Sequence, residues 1–409
     1  MKQKTQMKSN DIFQCLIAVS AACLVFAVMQ GIHDNYGIMM NGIIENTGLA
    51  YAAVSFVIAV GQILYGATQP LFGMLALKKS NAFVLLTGIV MMAVGLIATP
   101  FCTSIWSLLI FFGIILPSGT GALCFGIVMG AIAPIIGEKR AAVVSGIVQA
   151  SAGVGDALMS PALQYLTQWR GVSFSMPFFS APILLTIPAV IWLGRKRRKN
   201  ETQTALEKEG SKTEKNEKLS GILRTSFCDP AYWCLLIGFS TCGFHMSIIE
   251  THLFSQYISC GIEGNIASFT LTVYGITTMI GAIITGFLGQ RFQMKNVLAS
   301  IYALRVFIAL GFIFLPKSIP FAFAATGLLG LTGDSTVPPT TGIISAKVGM
   351  AKMAIVYGSI FIGHQIGAFS SAWLGGVLVN TSLGYTALWM TDLCLCLAAA
   401  IASFRIKEK

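Results

Sequence analysis

Ten ionisable side chains lie within stretches of this sequence that are otherwise apolar. They are five acids, one arginine and all four histidines: Asp34, Asp156, Glu250, Asp334, Asp392, Arg305, His33, His245, His252 and His364. A charge inside a membrane is costly, so such residues mark substrate sites, ion pathways or proton relays. One arginine cannot neutralise five acids by pairing. We therefore expect some acids to be protonated, to face a water-filled cavity or to relay protons.

The first group is compact in sequence. Gln30 precedes His33 and Asp34 by three and four residues, so a helix would place all three on one broad face, and Tyr36 follows closely. We predict that this face binds a solute or exchanges a proton. The alternative is that His33 and Asp34 lie near the membrane surface, where water solvates them.

A second pair of histidines lies in the other half of the chain. His245 and His252 are seven residues apart, so we expect them to share a helix face, whereas Glu250 should point elsewhere. We predict that both histidines line the same site. Interfacial solvation of His252 and Glu250 is the alternative.

Asp334 lies in a helix that its own sequence should interrupt. Gly330 and Gly333 precede it, and Pro338 and Pro339 follow it. Backbone carbonyl groups are freed where glycine and proline break a membrane helix, and transporter sites often use such breaks. We therefore predict that Asp334 belongs to a binding or coupling site.

Five further residues allow a structural interpretation as well as a functional one. His364 and Gln365 either contribute to the site or hydrogen-bond between helices. Asp156 follows two glycines that favour close helix packing. For Arg305 and Asp392 we favour a structural ion pair over a role in binding, with Asp334 as the alternative partner of Arg305.

Composition places these residues in a membrane. Of the 409 residues, 55% are hydrophobic and 11% are charged, too few polar groups to cover a water-soluble domain. About 20 apolar residues cross a bilayer as a helix. We expect an all-α membrane protein with twelve transmembrane helices, near residues 12–40, 48–75, 82–101, 104–132, 141–167, 174–194, 230–257, 264–289, 296–315, 320–345, 353–379 and 384–404.

The twelve stretches form two sets of six that repeat one another. With a shift of 212 residues, Gly31 and His33 fall on Gly243 and His245, as the sequence shows. Duplicated apolar halves are typical of secondary transporters whose site lies between the halves. We predict an N-terminal six-helix bundle (1–194), a cytoplasmic linker (195–226) and a C-terminal six-helix bundle (227–409).

Basic residues are concentrated on one side of the predicted membrane. The termini and the even-numbered connections hold 24 of the 27 lysines and arginines, whereas the opposite side holds only Arg170 and Lys317. Basic residues are retained on the cytoplasmic side during insertion. We therefore expect both termini in the cytoplasm, and we interpret the net charge of +11 as a topological signal instead of a nucleic-acid-binding surface.

Several segments are similar to a known family. They are Gly31-Ile-His-Asp-Asn-Tyr-Gly37, Gln69-Pro-Leu-Phe-Gly73, Ile301-Tyr-Ala-Leu-Arg305, Val337-Pro338 and Gly363-His-Gln-Ile-Gly-Ala-Phe369. With the two repeats, the chain resembles the major facilitator superfamily, in the branch of bacterial monocarboxylate and oxalate/formate porters. The resemblance implies that helices 1, 4, 7 and 10 line a central cavity. The acid of the superfamily's loop 2–3 motif is replaced by Leu77 here and by Gln290 in the repeat.

The resemblance implies proton-coupled secondary transport of a small organic solute, with a carboxylate as the first choice, across the cytoplasmic (inner) membrane. His33, Asp34, His245 or Asp334 would carry the proton during alternating access. Export of a cationic or zwitterionic amphiphile is the alternative, because five acids suit it better. A non-transporting membrane receptor on the same fold is another.

Motifs for intramembrane catalysis or metal binding are missing from the sequence. It contains neither HExxH nor GxSxG, and its cysteines form no CxxC pair. We expect no enzymatic activity, no cofactor and no metal. The expected partners are a small solute, protons and membrane lipid, with the monomer as the working unit.

Overall fold

The computed structural model describes residues 9–195 and 219–408. Over these residues the chain forms helices and no strand. Six helical spans make up the first half: span 1 (Ser9–His33 and Tyr36–Thr47), span 2 (Tyr51–Lys78), span 3 (Asn81–Ala98), span 4 (Ile105–Ile136), span 5 (Glu138–Arg170) and span 6 (Val172–Arg195).

Six more spans follow in the second half. They are span 7 (Pro230–Ser259), span 8 (Gly264–Arg291), span 9 (Met294–Phe314), span 10 (Ile319–Thr332, Asp334–Thr336 and Val337–Val348), span 11 (Met350–Leu378) and span 12 (Tyr385–Phe404). A short helix, Leu219–Phe227, precedes span 7 within the predicted linker. Residues 196–218 of that linker lie outside the described residues.

Ten of the spans meet the length and hydropathy needed to cross a membrane as helices. The other two are span 10, which is interrupted after Gly333, and span 11, which is one unbroken helix. The expected all-α architecture of twelve transmembrane helices is therefore confirmed in the described part of the chain.

All four spans expected to line a cavity are irregular, and outside this set span 6 is interrupted after Leu184. Span 1 breaks between His33 and Tyr36, and span 10 narrows to a 3-10 turn at Asp334–Thr336. Spans 4 and 7 contain π-helical segments, Leu109–Ile115 and Ile248–Leu253. Irregular backbone at membrane depth is tolerated only where protein or a cavity surrounds it. The irregular segments of these four spans are therefore expected to face the interior of the bundle.

Equivalent glycines make equivalent contacts in the two halves. A methyl group on Gly155 of span 5 would overlap the carbonyl oxygen of Ala27 in span 1, and one on Gly367 of span 11 would overlap that of Ser240 in span 7. Gly155 and Gly367 are separated by the repeat shift of 212 residues. Small residues allow membrane helices to approach closely. The same close helix crossing therefore occurs in both halves, between spans 1 and 5 and between spans 7 and 11.

Turn geometry repeats as well. Gly137 precedes span 5 with φ 73° and ψ 162°, and Gly349 precedes span 11 with φ 80° and ψ 158°. Side chains are strained at such positive φ, so glycine starts both helices. Between the halves, span 2 packs on span 11 and span 5 packs on span 8.

We predict that Gly155→Ala destabilises the protein because the added methyl group forces spans 1 and 5 apart. Overpacking of this kind costs about 1–3 kcal/mol. The matched control is Gly146→Ala on the same helix, where the added methyl group meets open space. Thermal unfolding in detergent should show a lower midpoint for the first variant and an unchanged or higher one for the second. Equal midpoints would contradict the close crossing.

Candidate functional site

The break in span 1 is held by a side chain from the break itself. Asn35 donates from Nδ2 to the carbonyl of Gly31 at 2.7 Å, and Ser160 of span 5 donates from Oγ to Asn35 Oδ1 at 2.6 Å. These bonds replace backbone hydrogen bonds that the break removes. They also fix the turn against span 5, so the residues around it have one defined position.

Asp34 accepts hydrogen bonds at this break. Its Oδ1 lies 2.7 Å from Gln30 Nε2 and 2.9 Å from His33 Nδ1. His33 is 3% exposed, and its ring lies 5.0 Å from the ring of Tyr36 and 4.5 Å from that of Tyr65. The structure therefore brings Gln30, His33 and Asp34 together, as their spacing predicts. It does so in the interior and not at a solvated surface.

Glu250 reaches the same place from the second half. Its Oε2 accepts from Gln62 Nε2 at 3.0 Å, and donor and acceptor atoms of His33, Asp34 and Glu250 lie within 4.8 Å of one another. Glu250 does have different partners from His245 and His252, as expected, but the expectation that it therefore lies outside the site is wrong. It assumed a regular α-helix, whereas span 7 is π-helical here and its wider turn changes the directions of the side chains.

Two more acids surround this group. Asp156 is 4% exposed, its Oδ1 has no hydrogen-bond partner, and its carboxyl group interacts electrostatically with that of Asp34. Asp334 also interacts with Asp34. We call these residues the central cluster: His33, Asp34, Asp156, Glu250 and Asp334. It draws on spans 1, 5, 7 and 10, so both halves contribute to it.

His252 closes the end of the bundle remote from the termini. Its Nδ1 lies 2.8 Å from the hydroxyl of Tyr51 in span 2, and its Nε2 lies 3.1 Å from the carbonyl of Ala372 in span 11. Tyr385 of span 12 donates to the Tyr51 hydroxyl at 3.3 Å. His252 therefore joins the halves away from the central cluster. The predicted face shared with His245 does not exist.

His245 lies inside the second half. Its Nδ1 is 2.8 Å from Oδ2 of Asp392 in span 12, and both side chains are 0% exposed. The predicted pair of Arg305 and Asp392 is therefore wrong, because His245 occupies that carboxylate. His245 also lies too deep in the second half to join His33, although the repeat aligns the two residues.

Arg305 is bound to backbone instead of to an acid. Its Nη2 donates to the carbonyls of Thr332 and Gly333 at 2.5 and 2.9 Å. Among the described residues no carboxylate forms an ion pair with it. The two carbonyls belong to the break in span 10, next to Asp334.

His364 and Gln365 face different neighbours. The His364 ring stacks on Phe361 at 5.2 Å and lies 5.1 Å from Phe239. Gln365 packs against Gly66 of span 2, across the contact between the halves. One polar atom of each, His364 Nδ1 and Gln365 Oε1, has no hydrogen-bond partner. Their role in the site stays a prediction.

A cavity of about 560 Å³ lies between spans 5, 8 and 10. Its wall includes residues 143–153 of span 5 and 278–290 of span 8, which belong to the half of the bundle nearer the termini. Asp334 is the one ionisable side chain among the lining residues, and Gln149, Thr278 and Gln290 supply neutral polar groups. This volume suits a small organic molecule.

Sequence reasoning missed the contribution of span 2. Gln62 and Tyr65 reach the central cluster, and Tyr51 reaches His252. Gln62 and Tyr65 are three residues apart, so a polar stripe on an otherwise apolar helix was the available signal.

Comparison with known proteins agrees with this architecture. The family model for the Major Facilitator Superfamily matches residues 19–318. The chain belongs to this superfamily. Among solved structures, a D-xylose-proton symporter aligns with a TM-score of 0.70 at 11% identity, covering 97% of this chain and 98% of that one. A bacterial homologue of the human lysosomal transporter Spinster, inward-facing and occupied, aligns with a TM-score of 0.68 at 14% identity, covering 98% and 93%.

Curated relatives narrow the branch of the superfamily. Human monocarboxylate transporter 12 is 22% identical, over 83% of this chain and 70% of its own length. The oxalate:formate antiporter of Oxalobacter formigenes is 21% identical, over 99% and 93%. This superfamily member is a multi-pass membrane protein, and its function is secondary transport of a small organic solute.

We predict that Asp392→Leu destabilises the protein, because it leaves His245 buried without its partner. A buried polar group that is left without its hydrogen-bond partner costs about 1–3 kcal/mol. The double variant His245→Leu with Asp392→Leu should recover the yield of monodisperse protein, measured by size-exclusion chromatography. Combining Asp392→Leu with Arg305→Leu should give no such recovery. If Arg305→Leu recovers the yield and His245→Leu does not, Asp392 pairs with Arg305, which would contradict the structure.

Proposed function

We propose that this protein carries a small monocarboxylate together with a proton, and that Asp334 couples the two. The observation that carries this proposal is that Asp334 is the one ionisable lining residue of the cavity. The substrate class is suggested by what the curated relatives are named for, monocarboxylates in one case and oxalate and formate in another.

Asp334 couples proton and anion through simple electrostatics. An ionised Asp334 repels a carboxylate, whereas a protonated Asp334 donates a hydrogen bond to it. Gln149, Gln290 and Thr278 offer further donors in the same cavity. A carboxylate therefore binds only with a proton, although no lysine or arginine is among the lining residues.

The central cluster then links the proton to the movement of the halves. His33 and Asp34 belong to the first half and Glu250 to the second, so these groups separate when the remote end opens. Like charges close together at low dielectric repel strongly. Contact between Asp34 and Glu250 therefore requires a proton, and proton loss favours their separation. Asp156 interacts electrostatically with both Asp34 and Asp334, so we assign it to the same relay.

Alternating access would rock the two bundles, residues 1–194 and 227–409, about this cluster. The cavity lies on the side of the termini, and hydrogen bonds such as Tyr51 to His252 and Ser255 to Asn41 join the halves at the other end. With the termini in the cytoplasm of a bacterial-type inner membrane, this arrangement is an inward-facing state. We propose that a single chain surrounded by lipid, without enzymatic activity, performs the cycle.

The acidity of the cavity favours one other cargo. An ionised Asp334 would attract a cationic or zwitterionic amphiphile, and such a protein would exchange that cargo for protons. The two hypotheses differ in the state of Asp334 that binds the cargo. A carboxylate requires protonated Asp334, and a cation requires ionised Asp334.

We predict that Asp334→Asn separates transport from proton coupling. Asparagine keeps the size and a hydrogen-bond donor but cannot titrate. In proteoliposomes, uptake of labelled formate, oxalate or lactate driven by a pH gradient should fall to the level without a gradient, while exchange of the same solute across the membrane persists.

The control is Glu45→Gln, which removes an exposed acid outside the cavity. It should leave both uptake and exchange unchanged. Persisting accumulation in Asp334→Asn would show that another group couples the proton. The alternative function would be favoured by two results together. The parent protein would transport organic cations, and Asp334→Asn would lose exchange.

We predict that an epitope inserted within residues 200–215 is reached by antibody only in inside-out membrane vesicles. The reason is that retained basic residues place this segment in the cytoplasm. The matched insertion after Lys317 should be reached only in right-side-out vesicles. The reverse pattern would invert the orientation and make the cavity outward-facing.

A further inference from the structure

Arg305 is a buried charge outside the cavity wall that forms no ion pair with an acid among the described residues. Its side chain is 0% exposed in span 9 and is absent from the cavity wall. Burying a charge is costly unless the charge is paired or hydrogen-bonded. The contacts of this guanidinium group should therefore account for its presence.

The backbone of span 10 offers what Arg305 binds. Gly333 has φ −52° and ψ −92°, which ends the regular helix, and Val337 donates its N–H to Asp334 instead of to Gly333. The carbonyl of Gly333 thereby loses the donor that an α-helix would supply. Pro338, the next residue, has no N–H and cannot donate to the Gly333 carbonyl in place of Val337.

The guanidinium of Arg305 supplies the missing donors. Its Nη2 reaches the carbonyls of both Thr332 and Gly333. Carbonyls at the end of a helix carry partial negative charge, so a cation suits them better than a neutral donor. A cation–π contact also holds the side chain, because the guanidinium lies 5.4 Å from the centre of the Tyr302 ring, one turn earlier on span 9.

We propose that Arg305 is a positioning residue: it holds the two carbonyls that precede Asp334 and so fixes the direction in which Asp334 projects into the cavity. This inference rests on the proposed role of Asp334 in coupling. It assigns to span 9, which lies outside the cavity wall, a function in proton-coupled transport.

Ionisable groups on the neighbouring spans share this region. Asp334 interacts electrostatically with Asp34 of span 1, Asp156 of span 5, Glu250 of span 7, Tyr274 of span 8 and His364 of span 11. Arg305 interacts electrostatically with Asp334 itself and with His364 of span 11. It also interacts with Cys242 and His245 of span 7 and with Cys396 of span 12. Arg305 differs from these other groups in its hydrogen bonds to the backbone. In the described part of the chain, no other ionisable side chain hydrogen-bonds the carbonyls of residues 332 and 333.

The test measures the direction of residue 334 without requiring a known cargo. In an Asp334→Cys background, the new thiol should react with a water-soluble maleimide through the cavity. Peptide mass spectrometry gives its labelling rate relative to the exposed native Cys228. Adding Arg305→Met should lower this relative rate severalfold, because the released turn no longer aims residue 334 at the cavity. Adding Arg305→Lys, which keeps a cationic donor, should give an intermediate rate.

Tyr302→Phe is the matched control on the same span. It removes a hydrogen bond from the Tyr302 hydroxyl to the Gly238 carbonyl of span 7 but leaves Thr332 and Gly333 untouched. We expect its labelling rate in the Asp334→Cys background to be unchanged. Only monodisperse protein is compared, so loss of unfolded material does not enter the ratio.

An unchanged rate in Arg305→Met, or an equal fall in Tyr302→Phe, would overturn the positioning role. The failure of the proposed function is a separate result. Should Asp334→Asn keep gradient-driven accumulation while Arg305→Met still lowers the labelling rate, Asp334 is aimed by Arg305 but does not couple the proton.

Discussion

The cost of an unsatisfied polar group inside a membrane is the constraint on which this structure depends. Regular helices satisfy their own backbone, so a helix can be interrupted only where another group replaces the lost bonds. Asn35 and Ser160 do this in span 1, and Arg305 does it in span 10. The acids Asp34 and Asp334 lie at these two interruptions. The acids of the proposed site and the irregular backbone therefore occur together for one energetic reason.

Duplication produced two similar bundles whose equivalent residues have diverged. Gly155 and Gly367 permit the same helix crossing, and Gly137 and Gly349 start the same helices. His33 and His245 also occupy equivalent positions, but the first pairs with Asp34 beside the other half and the second pairs with Asp392 inside its own. Packing residues kept their roles because both halves need the same fold. The equivalent polar residues differ, as expected if the proposed site between the halves needs only one set of them.

The central cluster is asymmetric in a way that suits coupling. The first half supplies the imidazole with two carboxylates, and the second half supplies the carboxylates of Glu250 and Asp334. Hydrogen bonds from Gln30 and Gln62 hold Asp34 and Glu250 without adding charge. Among the described residues no lysine or arginine forms an ion pair with the cluster, so the proposed coupling can work through a change in the number of protons that the cluster carries.

The sequence by itself determined the membrane location, the twelve spans, the repeat and the set of buried ionisable residues. These follow from hydropathy, glycine spacing and the cost of intramembrane charge, all of which are local or periodic. The local group of Gln30, His33 and Asp34 was also accessible, because residues three and four apart on a helix meet.

Only the tertiary structure decided the partners. Sequence spacing assigned Glu250 away from the site and His252 to it, and a π-helical segment reversed both. The sequence analysis paired Arg305 with Asp392, but two membrane helices can pack against each other in many rotations. In the structure Asp392 pairs with His245, and Arg305 hydrogen-bonds the backbone at the interruption of span 10. Which buried polar groups meet depends on how helices distant in sequence pack, and no single helix contains that information.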